Sequence, residues 1–204
     1  MENELLLKEC NLAKEALNKH GVIAFPTETV MGLAVLFDDF EAYNKLNKVK
    51  NRPEDKPYTL MLGDAKSIAK YAYIDERSQK IINAFMPGSI TVLLKSKDNV
   101  PGYVTHNTGI IGVRVPALSD ICEMINEVGK PLLVPSANKS GEKPAMNSEE
   151  VKAIFKDELD YIVEGKCVGG IPSTLVDLTK EDIKIIREGP ISKSMILEVL
   201  GGSK

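Results

Sequence analysis

The stretch GGIPSTLVDLTKEDIKIIREG, residues 169–189, decides what kind of sheet this chain builds. Thr174 to Leu178 and Ile183 to Arg187 are both rich in β-formers, and only the polar residues 179–182 separate them. A parallel pair needs a crossover of about a dozen residues or more, so these two strands run antiparallel. Upstream, the apolar run Val22 to Phe25 ends at Pro26 as a short buried strand. Leu33 to Phe37, Tyr58 to Leu62, Ile90 to Lys95, Ile110 to Val115, Leu132 to Val134 and Tyr161 to Val163 read as further strands.

Helices alternate with these strands. Leu6, Cys10, Ala13 and Leu17 recur at helical spacing over residues 3–18, and Gly21 follows as a stop signal. Asp38 or Asp39 can cap a helix running to about Lys48. Further helices are predicted over 64–71, 75–85, 118–128, 148–155 and 192–200. The expectation is an α/β (α+β mixed) fold, with one twisted sheet of parallel and antiparallel strands flanked by helices. No internal repeat, linker or composition break divides the chain, so residues 1–204 read as one domain.

Composition narrows the function classes. With 43% hydrophobic and 27% charged residues, the chain has the mixture of a soluble globular protein and not that of a disordered or collagen-like one. No apolar run approaches the roughly 20 residues of a membrane helix. The opening MENELLLKEC lacks the cationic start of a signal peptide, so a cytoplasmic location is expected. A net charge of -3 argues against a generic nucleic-acid binder. Cys10, Cys122 and Cys167 are scattered and read as reduced thiols, and with only two histidines, His20 and His106, no protein metal site is expected.

Standard chemical motifs are absent: there is no P-loop, no G-x-G-x-x-G after a strand, no H-E-x-x-H, no EF-hand loop and no G-x-S-x-G elbow. Four polar segments instead sit where loops leave buried strands, the place where ligand loops of α/β sheets gather. PTETVMGL, residues 26–33, presents Thr27, Glu28 and Thr29, or is simply a turn. KVKNRPEDKP, residues 48–57, carries Lys48, Lys50, Arg52 and Lys56 on a proline-stiffened stretch suited to a polyphosphate, or is a solvated loop. VPSANKSG, residues 134–141, offers Ser136, Asn138 and Ser140 for phosphate or ribose oxygens, or forms a polar turn. GGIPSTLVDL, residues 169–178, adds open backbone N–H groups, Ser173 and Thr174. Arg114 and Arg187 interrupt or end apolar strands, so each needs either an anionic ligand or a carboxylate partner. The sum is a cationic, hydroxyl-lined cavity with no evident catalytic base, fit to position a phosphorylated anion and stabilise its charge.

The ordered set FPTETVMGL, K-x-R-P-x-x-K-P, MPGSITVLL, GVRVP, PSANKSG, PSTLVDL and IIREG resembles the threonylcarbamoyl-AMP synthase family, the YrdC-like domain, over residues 8–200 in its short single-domain form. The resemblance implies a YrdC-like fold with a cationic central cavity. It implies a nucleotidyltransferase that joins L-threonine, bicarbonate or CO2 and ATP into L-threonylcarbamoyladenylate and pyrophosphate. A downstream threonylcarbamoyl transferase system would then modify tRNA. Carried over residue by residue, Thr29, Arg114, Ser136 and Ser173 would line the threonine side. Lys50, Arg52, Lys56, Asn138 and Arg187 would hold ATP, with Mg2+ accompanying the nucleotide and no metal ligand from the protein. Two departures fall in the threonine pocket: Met31 where the family usually has Tyr, and Met61 where it commonly has His. Met146 stands where a hydroxyl residue is frequent. The competing reading is an RNA-binding module using the same cavity. Carbamoyl-adenylate chemistry of the hydrogenase-maturation type requires further regions and cysteines that this chain lacks.

Overall fold

The computed structural model describes residues 2–51 and 58–201. Among the described residues nine strands form one sheet: β1 (Ile23–Phe25), β2 (Gly32–Leu36), β3 (Thr59–Met61), β4 (Ile90–Lys95), β5 (Ile110–Arg114), β6 (Leu132–Leu133), β7 (Tyr161–Ile162), β8 (Thr174–Asp177) and β9 (Lys184–Arg187). Their spatial order is β7-β1-β2-β6-β3-β5-β4-β8-β9. The expected hairpin is present, with β8 antiparallel to β9, while β8 runs parallel to β4 and β3 parallel to β5. The sheet is therefore mixed, as the short 179–182 connection requires.

The helices are α1 (Glu2–Leu17), α2 (Phe40–Lys50), α3 (Glu76–Phe85), α4 (Gly102–Thr105), α5 (Ser119–Val128), α6 (Ser148–Phe155) and α7 (Lys193–Val199). Polar caps start several of them by accepting an otherwise orphaned N–H. Asp39 accepts from Ala42 N at 3.0 Å to open α2, Asp75 from Ser78 N at 2.7 Å to open α3, and Asn147 from Glu150 N at 2.8 Å to open α6. Two elements differ from the sequence expectation. Residues 65–70 wind as a 3-10 helix, because their one buried side chain, Ile68, gives no apolar stripe to reward a longer α-helix. The single turn of α4 is too short to show periodicity in sequence; it starts after Pro101 and ends at His106, whose φ is 50°.

Alternation along the strands sorts side chains onto two faces. On one face Ala24, Leu33, Val35, Leu60, Val92, Val113 and Val176 form a continuous apolar layer with Ala42 and Leu46 of α2, Ile81 and Ile82 of α3, and Val151 and Phe155 of α6. On the other face Ile23, Phe25, Ala34, Leu36, Met61 and Leu132 pack against Ala13 and Leu17 of α1 and Ile121, Met124 and Ile125 of α5. That second cluster ends at β3. Beyond it, the same face of β5, β4, β8 and β9 opens into a cavity. Among the described residues, no helix is long and apolar enough to cross a membrane.

Leu60 is fully buried on a strand flanked by β5 and β6. Leu60→Ala is expected to cost about 2–5 kcal/mol. The urea midpoint should fall while the denaturant slope stays unchanged.

Candidate functional site

The cavity encloses about 510 Å³, and the sheet is its floor. Cross-strand register explains the floor row by row. Thr59 of β3 lies beside Gly112 of β5, and Gly112 beside Leu93 of β4; Met61 lies beside Arg114, and Thr91 of β4 beside Leu175 of β8. These residues share a face because each strand alternates, so the apolar residues between them feed the core behind. Gly112 keeps the centre of the floor low. A Cβ there would stand 3.2 Å from Thr91 Cγ2 and 3.3 Å from Leu93 Cδ2. The register between β8 and β9 shifts at Leu175/Val176, and this irregularity turns both Ile186 and Arg187 onto the cavity.

Among the described residues, three loops make the walls: residues 27–31 after β1, residues 134–136 after β6, and Pro172 and Ser173 before β8, with Tyr58 beside β3. They interlock through the main chain. Met31 N donates to Ala145 O at 3.0 Å, Ala137 N donates to Met31 O at 2.7 Å, and Gly170 N donates to Thr29 O at 2.9 Å. Gly169 makes the last approach possible, since a Cβ there would lie 2.5 Å from Glu28 O.

Of the residues expected at the site, Thr29, Arg114, Ser136, Ser173 and Arg187 all line this one cavity. Arg114 is 6% exposed. Its Nη2 donates to Glu28 Oε1 at 2.7 Å and to Thr29 Oγ1 at 2.9 Å, while its buried Nε–H has no acceptor among the described residues. Of the sequence alternatives for Arg114 the carboxylate partner is present, and one buried donor of the guanidinium is left without a partner among the described residues. Arg187 sits at the mouth, where its Nε donates to Ser173 O at 3.0 Å and Nη2 to Ser173 Oγ at 3.2 Å. Burial lowers its pKa, and the positive charge of Arg114 adds to that. Two cations that repel each other across a shared cavity favour an anion between them.

Lys50 and Asn138 take another place. Lys50 is 1% exposed and lies behind the 134–141 loop, its Nζ donating to Ser136 O at 2.5 Å and Asn138 O at 2.7 Å. The Asn138 amide donates to Lys139 O at 2.7 Å and Glu142 O at 3.0 Å, and its Oδ1 accepts from Ser136 Oγ at 2.6 Å. Both side chains hold the loop that presents Ser136. Arg52 and Lys56 lie outside the described residues.

Met31 and Met61 do reach the cavity, and both are almost fully buried. Met146, by contrast, packs against the main core. Sequence reasoning overlooked Thr91, whose Oγ1 lies 2.8 Å from Ser173 Oγ on the floor; its signal is the one polar residue inside ITVLL. It also gave Glu28 no specific partner. The cysteines offer no thiolate: burial pushes Cys122 up to about 11, with the charges of Glu28 and Asp64 adding to it, and burial likewise raises Cys167. Among the described residues no cluster of three His, Cys, Asp or Glu could hold a metal ion.

The profile of the Sua5_yciO_yrdC family, described as "Telomere recombination", matches residues 15–189. A Methanocaldococcus jannaschii protein, provisionally named threonylcarbamoyl-AMP synthase, is 35% identical over 89% of this chain and 86% of its own length. Among solved structures, Pyrococcus abyssi Sua5 complexed with L-threonine superposes with a TM-score of 0.90 at 28% identity. That match covers 94% of this chain and 57% of the Pyrococcus protein, so the chain spans little more than half of that relative. Escherichia coli YciO superposes with a TM-score of 0.85 at 28% identity and is covered over 92% of both chains.

Lys50→Met would leave the carbonyls of Ser136 and Asn138 without this donor. A loss of about 1–3 kcal/mol is expected, seen as a lower thermal midpoint.

Proposed function

This chain belongs to the Sua5/YciO/YrdC family and is an enzyme of the nucleotidyltransferase type. On that premise we propose that it is an L-threonylcarbamoyladenylate synthase acting in the cytoplasm, with L-threonine, bicarbonate or CO2, and ATP as substrates. The observation that carries the proposal is Arg114, a desolvated guanidinium with an Nε–H unpartnered among the described residues, on the floor of a cavity that it shares with Arg187. A planar anion satisfies the first cation and a polyphosphate the second.

In the proposed reaction the threonine ammonium loses one proton to water, the free amine adds to CO2, and a second proton leaves the nitrogen to water to give the carbamate. A carbamate oxygen then forms a bond to the α-phosphorus of ATP as the bond to pyrophosphate breaks. Arg114 and Thr29 hold the threonine carboxylate, with Met31 and Met61 packing nearby. Ser136 and Ser173 flank the reacting groups. Arg187 takes phosphate charge at the mouth; Arg52 and Lys56 are assigned to the nucleotide from the sequence alone. Lys50 and Asn138 contribute by keeping Ser136 in place. Such a site works by positioning and by fixed charge, which is where phosphoryl transfer gains most. Mg2+ supplies further neutralisation when bound to the nucleotide. Among the described residues the cavity lining contains no carboxylate to ligate it, and the phosphates themselves would carry the ion. The adenylate would pass to a downstream threonylcarbamoyl transferase system for tRNA modification.

The reaction is tested by pyrophosphate release from ATP with bicarbonate and Mg2+, with and without L-threonine. Release should depend on threonine, and Arg52→Ala should abolish it while leaving the thermal midpoint within about 2 °C. Release with another amino acid alone would make Met31 and Met61 a change of specificity. No release with any amino acid, combined with RNA affinity falling steeply as salt rises, would favour the RNA-binding reading.

A further inference from the structure

We propose that Glu28 is a positioning residue that aims Arg114 at its ligand, a role that rests on the reading of the cavity given above. Glu28 is absent from the cavity lining and lies behind Arg114, with 14% of its side chain exposed. Its carboxylate gathers three separate elements. Oε1 accepts from Arg114 Nη2 at 2.7 Å and from Ser89 Oγ at 3.3 Å, and Oε2 accepts from Ala117 N at 3.1 Å. The β1–β2 loop, the entry to β4 and the segment after β5 therefore meet at one anion.

Both restraints on the guanidinium act on the same nitrogen. Thr29 Oγ1 accepts from Nη2 at 2.9 Å beside Glu28, whereas the buried Nε–H has no acceptor among the described residues. Held at one corner, the planar fork keeps its other donors available to a planar anion such as a carboxylate. The Thr29 hydroxyl is itself anchored by Thr27 Oγ1 at 2.8 Å, so it cannot swing to follow a loose arginine. Against an apolar replacement a buried pair of this kind adds little net stability, although removing Glu28 alone leaves the cation uncompensated. Its consequence is orientation. Removing the charge without changing the shape should free the guanidinium while the loops stay joined, because a Gln amide oxygen can still accept from Ala117 N or Ser89 Oγ.

Glu28→Gln tests this. The Arg114 Nε–H resonance, assigned by its disappearance in Arg114→Lys, should exchange with solvent about tenfold faster in the variant. KM for L-threonine in pyrophosphate release should rise about tenfold, with KM for ATP unchanged within about twofold. The thermal midpoint should fall, because Gln leaves the buried guanidinium without its countercharge, while KM for ATP stays unchanged. Unchanged exchange and unchanged threonine KM would overturn the proposal. So would a parallel loss of midpoint, kcat and both KM values, which would make Glu28 a structural residue only. Should Gln prevent folding, Glu28→Asp, which withdraws the charge by one methylene, is read in the same way, and failure of both to fold also overturns it. Faster exchange in the variant of a protein that releases no pyrophosphate with any amino acid would keep the positioning role and remove the proposed reaction.

Discussion

Arg114 leaves β5 between Val113 and Val115, both fully buried, and its guanidinium lies on a sheet face where little water reaches it. An unpaired cation there would be too costly to keep, so the neighbouring structure is arranged around its charge. Glu28 supplies the countercharge from a loop 86 residues away in sequence. Through Ser89 and Ala117 the same carboxylate ties down the edges of two other strands. Thr29 is held between the Arg114 guanidinium and the 169–170 turn, where a Cβ on Gly169 would collide with Glu28 O. The walls of the cavity thus follow from neutralising one side of one arginine while its other side is left open.

The open face has an equally simple origin. The layer of α1 and α5 covers the sheet only as far as β3, where Met61 belongs both to that layer and to the cavity. On the far half, Gly112 keeps the floor low and Thr91 lightly polar, and the opposite face remains a continuous apolar core. The site therefore sits where one helical layer stops. Loops interlocked by main-chain hydrogen bonds build walls on a rigid floor, an arrangement suited to charge stabilisation by positioned donors. Lys50 belongs to this scaffold. A lysine with its ammonium buried among carbonyls is expensive to desolvate, and here it fixes the loop carrying Ser136.

Much of this was legible from residue pattern. β-rich runs and their polar separations locate the strands, and a gap as short as 179–182 forces an antiparallel pair on steric grounds. Asp39, Asp75 and Asn147 cap helices as small polar residues ahead of apolar periodicity do. A charge inside an apolar strand is conspicuous in sequence, and both Arg114 and Arg187 proved to face the same cavity. The one-turn α4 and the 3-10 segment were not legible, because neither is long enough to display a period.

The sequence by itself determined which residues turn inward, where strands end, and which loops carry hydroxyls and cations, since these depend on neighbours a few positions apart. Tertiary structure decided which distant groups share a charge. Whether Arg114 met a ligand or a carboxylate, and whether Lys50 faced a phosphate or the carbonyls of Ser136 and Asn138, depended on strand order and on where the α1–α5 layer stops. Periodicity reports the face on which a side chain lies, but it carries no information about which segment, 86 or 88 residues away, will be packed against that face.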